Sequence, residues 1–181
     1  MSKIKLLVMD VDGTLTDGKI YMGNNGEVMK AFDVKDGCGI KDILPTLGIT
    51  PVIITGRVSQ IVENRAKEIG ITELHQGVRD KLAVLKEVAE KYAATPDEIA
   101  YIGDDINDLE CIEYCGFTAC PADSCPEIKE IADYVSHVKG GQGAVREIIE
   151  HQLRDTGKWD SIVKKFTEVK SDARTIKTRS T

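Results

Sequence analysis

The chain has 181 residues, of which 41% are hydrophobic and 30% charged, with a formal net charge of −6. That length and apolar content suit one well-buried core. The acidic balance opposes a general affinity for nucleic acid or an anionic membrane, since both demand a basic face; an anionic ligand needs positive charge concentrated locally.

In chain order, the first apolar run, Leu6 to Met9, is cut off by Asp10. It is too short for a signal-peptide core or a membrane span, so the protein is expected in the cytoplasm, without membrane or nucleic-acid partners. Lys5 to Met9 reads as a buried strand. Lys19 to Phe32 then carries Asn25-Gly26 between two strand-like stretches, which predicts a hairpin with a type I′ turn. Its second strand is apolar at both parities, with Val28 and Phe32 against Met29 and Ala31, so the hairpin is expected to seek a partner on each face.

Further buried strands are predicted at Pro51 to Ile54, Ile99 to Ile102 and Gly116 to Ala119, because short apolar runs separated by helical patterns are the signature of a parallel sheet. Between them, Leu82, Leu85, Val88, Ala89 and Tyr92 fall at helical spacing within Asp80 to Tyr92, and Pro126 suits the first turn of another helix. A helix is expected from Gly143 to about Asp155, and Trp159, Ile162, Val163 and Phe166 repeat at i, i+3, i+4, i+7. Beyond Lys170 only Ile176 is large and apolar, so that tail is expected to be disordered. The fold class is therefore α/β, a doubly wound parallel sheet over residues 1–155 with the hairpin at 19–32, followed by a short amphipathic stretch and tail over 156–181.

The five cysteines, Cys38, Cys111, Cys115, Cys120 and Cys125, are expected to stay reduced. The last four match no compact zinc-knuckle spacing, and buried free thiols are the simpler reading. His75, His137 and His151 are scattered.

The chemistry gathers at strand ends. After the first strand comes Asp10-Val11-Asp12-Gly13-Thr14, and alternation places Asp10 and Asp12 on one side of the strand's carboxyl end. In a doubly wound sheet ligands bind at that edge, and two carboxylates there call for a cation. The second apolar strand delivers Thr55-Gly56-Arg57, a hydroxyl, a bare amide and a guanidinium suited to phosphate oxygens. The third ends in Gly103-Asp104-Asp105 with Asp108 one turn on, which adds hard oxygen ligands of the kind Mg²⁺ takes. Lys81, opening a helix, can set a point charge beside a phosphate.

In order and spacing, Asp10-x-Asp12-Gly-Thr, Thr55, Lys81 and Gly103-Asp104-Asp105-x-x-Asp108 resemble the four motifs of the haloacid dehalogenase phosphatases. The resemblance implies that Asp10 is the nucleophile, Asp12 the general acid and base, and that Thr55 and Lys81 hold the phosphoryl oxygens. It further implies that Asp10, Asp104 and the Asp12 carbonyl bind Mg²⁺, with Asp105 and Asp108 in support. Only about 43 residues separate Asp12 from Thr55 and about 26 separate Thr55 from Lys81, too few for a folded cap domain. The site of a lone subunit should thus be open, and packing of the hairpin between copies would let a neighbour supply a lid.

A closer likeness spans nearly the whole chain. Asp17 to Glu27, Val34 to Ile40 and Gly140 to Glu147 are similar to the capless, tetrameric 3-deoxy-manno-octulosonate 8-phosphate phosphatases, which act on a phosphorylated eight-carbon sugar acid on the route to lipopolysaccharide. That resemblance implies a homotetramer, a substrate site lined by Asp12, Asp33, Val34, Lys35, Asp36, Gly37, Lys41, Gly56, Arg57, Arg65 and Lys81, and a Gly140 to Arg146 loop that reaches a neighbour's site. Many members carry Arg where this chain has Lys35, Lys41 and Gln142, and an aromatic residue where it has Cys38. The alternatives are a nine-carbon sialic-type acid 9-phosphate, a nucleotide or a phosphoprotein as substrate. A receiver-like signalling switch is disfavoured, because a receiver has no acid two residues beyond its phosphoacceptor.

Overall fold

The computed structural model describes residues 3–178, with side chains described through Glu168. Strand β1 (Leu6–Met9) is buried along its whole length, which only a central parallel strand with both faces covered can achieve. It pairs in parallel with β4 (Thr50–Ile54) on one side and β6 (Ile99–Ile102) on the other. Strand β5 (Glu73–His75) extends the sheet beyond β4, and β7 (Phe117–Cys120) and β8 (Tyr134–Val135) extend it beyond β6, giving six parallel strands in the order β5-β4-β1-β6-β7-β8.

The chain leaves β1 toward one flank and later returns to the other, so the strand order switches direction beside β1, where a crevice opens at the carboxyl ends. The register sets Met9 opposite both Ile53 and Ile102. The residues that follow these strands therefore emerge at one edge.

Alternation along each strand divides the core in two. Leu7, Met9, Ile53, Ala100 and Ile102 meet residues of α1 (Val34–Cys38) with its π-helical continuation, α2 (Gln60–Glu68), α6 (Ala144–Asp155) and α7 (Trp159–Thr178). On the opposite face Leu6, Val8, Val52, Ile54 and Tyr101 meet α3 (Lys81–Lys91), α4 (Leu109–Tyr114) and α5 (Pro126–Ile131). Trp159 anchors α7, with the Arg146 and Arg154 guanidinium carbons 5.3 and 5.0 Å from its ring centroid.

Three details differ from the sequence reading. The hairpin forms, β2 (Tyr21–Gly23) against β3 (Gly26–Met29), but its loop is Asn24-Asn25 and the positive φ, 113°, sits at Gly26. This is the pattern of a turn closed by a glycine bulge, not a type I′ turn centred on Asn25-Gly26, because neither asparagine leaves negative φ. Strands β5 and β8 had no sequence expectation. The backbone also continues as helix to Thr178, past the Lys170 limit set for order. The hairpin exposes Met22 at 64% and Val28 at 63%. All five cysteines are free, and Cys111 and Cys120 are buried.

Candidate active site

Asp10 follows β1 directly and is buried. Lys81, the first residue of α3 and equally buried, places its ammonium 2.9 Å from Asp10 Oδ1 and 2.7 Å from Asp108 Oδ1. The helix start is fixed by Asp80, whose side chain accepts from the Ala83 amide at 2.9 Å, so this N-cap determines where Lys81 points.

Asp108 is fully buried and accepts four donors: Lys81, the Tyr101 hydroxyl at 2.6 Å, and the Asp104 and Asp105 amides at 3.1 and 3.4 Å. Its oxygens are thereby occupied in shaping the loop after β6, which makes it a support and not an open ligand. Asp105 caps the turn at Ile106–Asp108, accepting from the Ile106 amide at 2.8 Å, and is exposed.

Asp104 points the other way. Its Oδ1 accepts the Thr14 hydroxyl at 3.1 Å, and Gly13 packs so closely that an added Cβ would lie 2.0 Å from Asp104 Oδ2. With φ at +99°, Gly13 serves the turn twice, by conformation and by lack of a side chain.

Asp10, Asp104 and Asp108 offer oxygens all within 4.8 Å of one another. Three carboxylates against the one ammonium of Lys81 leave two surplus negative charges, the complement of a divalent cation. Burial, opposed by Lys81 and aided by Asp108, pushes Asp10 up to about 6; burial with the charges of Asp10 and Asp108 pushes Asp104 up to about 7. Burial depresses Lys81, but Asp10 and Asp108 outweigh it and hold its pKa above the ordinary value. The arrangement fits Mg²⁺, a hard cation that takes few carboxylates and completes its shell with water and phosphate. Asp10 and Asp104 are the free-facing pair, and the Asp12 carbonyl belongs to the same turn.

Asp12 is only partly buried and meets different cations. Lys30, which follows β3, contacts Asp12 Oδ1, and Arg57 Nε lies 3.7 Å from Asp12 Oδ2. Both cations also approach Glu27 Oε1, Lys30 at 3.0 Å and Arg57 at 3.8 Å, and the Ser59 hydroxyl donates to Glu27 Oε2 at 2.5 Å. Lys30, Glu27 and Ser59 escaped the sequence reading. A lysine at the end of an exposed strand carries no sign that the hairpin folds it inward.

The chain is 48% identical over 157 residues, 87% of its length and 83% of the relative's, to the 3-deoxy-D-manno-octulosonate 8-phosphate phosphatase of Salmonella typhi, and a haloacid dehalogenase-like hydrolase model matches residues 70–149. It belongs to the haloacid dehalogenase-like hydrolases. Among solved members of this family, the 3-deoxy-D-manno-octulosonate 8-phosphate phosphatase of Yersinia pestis superposes with a TM-score of 0.84 at 44% identity, covering 88% of this chain and 85% of that one. The enzyme from Moraxella catarrhalis, solved in complex with magnesium, phosphate and KDO, superposes with a TM-score of 0.86 at 41% identity over 91% of this chain and 95% of that one.

In the hydrolase the remaining sequence candidates lie after β4 and on α1, its π-helical continuation and α2. Thr55 is buried at the end of β4, beside exposed Gly56 and Arg57. Asp33 caps α1, accepting the Lys35 amide at 2.7 Å, and its carbonyl takes Arg65 Nη2 at 3.4 Å. Gly37 packs under the Arg65 guanidinium, where an added Cβ would lie 2.5 Å from Nη2. Lys41 donates to the Glu68 carbonyl at 3.0 Å and Arg65 pairs with Glu68 at 2.9 Å, so these two basic groups are tied to the end of α2. Val34 and Lys35 are exposed. Asp36 is only 1% exposed; its Oδ1 accepts the Arg146 amide at 2.7 Å, so it caps the start of α6 from another element and turns away from solvent.

Gly140 and Gly141, which open the Gly140 to Arg146 segment, pack on the turn after β1 of this chain. The Gly141 amide donates to the Thr14 carbonyl at 3.2 Å, and a Cβ on Gly140 would lie 1.8 Å from the Gly13 carbonyl oxygen.

Proposed function

We propose that this hydrolase cleaves 3-deoxy-D-manno-octulosonate 8-phosphate to the free sugar acid and phosphate, with Mg²⁺ as cofactor and Asp10 as nucleophile. The observation that carries the reading is the buried Asp10–Lys81–Asp108 group beside Asp104, at the switch point of the sheet, in a chain 48% identical to enzymes of that activity.

The residues divide the work by position. Lys81 fixes Asp10 Oδ1, which sets the carboxylate plane and supplies positive charge toward the phosphoryl oxygens. The Asp10 carboxylate attacks phosphorus, the sugar alkoxide departs, and Asp12 gives it a proton, because an alkoxide is a poor leaving group. Water then attacks the acyl phosphate on Asp10, losing its proton to the Asp12 carboxylate, and phosphate and free Asp10 are regenerated. Thr55 holds a phosphoryl oxygen, and bound Mg²⁺ supplies charge neutralisation between carboxylates and phosphate. Asp108 orients Lys81 and the Asp104 loop.

Of the basic candidates, the exposed Lys35 and Arg57 meet the sugar acid carboxylate, while Lys41 and Arg65 are committed to Glu68. The hairpin joins copies into a homotetramer in which a neighbouring chain covers the open site, supported by the exposure of Met22 and Val28. No described helix is long and apolar enough to cross a membrane, and we place the reaction in the cytoplasm, on the way to lipopolysaccharide.

The test is phosphate release from eight- and nine-carbon keto sugar acid phosphates, hexose phosphates, nucleotides and a phosphopeptide, with Mg²⁺ and with chelator. A strong Mg²⁺-dependent preference for the eight-carbon ester is expected. Preference for a nine-carbon ester would transfer the assignment to that sugar, and equal rates on unrelated esters would remove the substrate while keeping the phosphatase.

A further inference from the structure

We infer that Lys30 is a positioning residue for Asp12, held in place by Glu27, through which the β2–β3 hairpin sets the orientation of the carboxyl group that protonates the leaving oxygen. The inference rests on the role proposed above for Asp12.

The side chain of Lys30 is 0% exposed, yet it bears a charge. Taking an ammonium out of water is costly unless opposite charges meet it, so burial of this kind marks a group held for a purpose beyond packing. Two carboxylates meet it: Asp12 through Oδ1 and Glu27 through Oε1 at 3.0 Å. Arg57 approaches the same two carboxylates at 3.7 and 3.8 Å. Two acids and two bases therefore balance, in contrast to the surplus negative charge around Asp10 and Asp104. This second group is balanced in charge and has the form of a clamp.

The clamp is anchored at its far end. Ser59 donates its hydroxyl to Glu27 Oε2 at 2.5 Å, accepts the Val62 amide at 3.4 Å as the N-cap of α2, and donates its own amide to Gln76 at 2.9 Å. A line of contacts thus runs from the α2 cap through Glu27 and Lys30 to one oxygen of Asp12. The two Asp12 oxygens differ as a result. Oδ1 is gripped by a buried ammonium, whereas among the described residues the cation facing Oδ2 is Arg57, whose side chain is 48% exposed and stands beyond hydrogen-bond distance. Oδ2 is the oxygen free to carry and receive the proton, and Lys30 fixes where it points. A catalytic group displaced by rotation loses most of its advantage even when it remains in the site.

The measurement that separates this role from a merely structural one is kcat/KM on two esters in the presence of Mg²⁺, because that ratio reports the steps through departure of the leaving group. One is an alkyl phosphate, such as the sugar acid ester, which needs a proton; the other is p-nitrophenyl phosphate, whose leaving group needs none. Lys30→Met is expected to lower kcat/KM on the alkyl ester by about tenfold to a hundredfold while changing the aryl ester by less than about threefold. Lys30→Arg should recover part of the loss. Because Lys30→Met leaves Glu27 buried without its cation, the double variant with Glu27→Gln keeps the test open should the single one fail to fold, and the same contrast is expected of it. Equal losses on both esters, or no loss on either, would overturn the positioning role. Asp12→Asn is the reference: if it shows no contrast between the esters, the reading of Asp12 fails; if it shows the contrast and the Lys30 variants do not, only the present inference fails.

Discussion

Asp108→Ala is expected to be the most damaging single truncation at the site, although Asp108 touches neither solvent nor, in the proposed mechanism, substrate. Breaking a buried ion pair from one side costs about 3–5 kcal/mol, and a buried hydroxyl that loses its acceptor, here Tyr101, adds about 1–3 kcal/mol. Two compensations reduce the total: Lys81 keeps Asp10 at 2.9 Å, and without metal the variant loses a negative charge that opposes those of Asp10 and Asp104. We therefore expect a loss of about 4 kcal/mol, or about 10 °C in Tm for a chain of this size. Asp108→Asn, which keeps one acceptor oxygen, should lose about half as much. The assay is urea unfolding in chelator, so that metal binding does not contribute to apparent stability, with equal m values required before the midpoints are compared. An alanine variant within about 1 kcal/mol of the parent would refute the reasoning, because it would mean that the four contacts are not held in the folded protein.

Asp36 gives a pH-dependent prediction: burial raises it from 3.8 to about 6, so the proton favours the folded state and the ionised group opposes folding by about 3 kcal/mol above pH 6. Asp36→Asn should be more stable than the parent at pH 8, with the gap closing as pH falls through 6 toward 4; a constant gap in urea unfolding across that range would contradict the shift. Gly13→Ala sets a Cβ 2.0 Å from Asp104 Oδ2 at a φ of +99°, and should reduce both stability and the thermal shift produced by Mg²⁺; an unchanged shift would show that the turn yields without moving Asp104. Met22→Glu with Val28→Glu should lower the solution mass seen by light scattering, whereas a mass equal to the parent's would take the hairpin out of any interface.

Much of this architecture was legible because the central strands are continuous apolar runs and the functional residues directly follow them. Ile99–Ile102 and the α3 region appear where expected, since a fully buried strand and a capped helix leave plain signals. Strands β5 and β8 escaped because two or three residues cannot establish a period, and Glu73 in β5 looks like surface until Lys91 at 2.5 Å and Tyr92 at 3.0 Å are seen to satisfy it. The motif residues Asp10, Asp12, Lys81 and Asp104 were readable as a set. Asp108 was expected in support, and its burial and donors show how it gives that support; Asp36 was expected at the substrate, and only its burial and the Arg146 amide reveal a helix cap. Lys30 was hidden for the reverse reason, since its role depends on the hairpin folding back over the sheet edge.

The seating of Gly140 and Gly141 on the turn after β1 bears on the order in which the molecule is made. The turn after β1 is made before its flanking strands at residues 50–54 and 99–102, and the glycines that brace it come later still. Such long-range closure is intrinsically slow compared with local structure. An acidic loop that could hold metal is therefore completed only once residues 140–141 have been made, so the growing chain carries the acidic residues well before it carries a finished site.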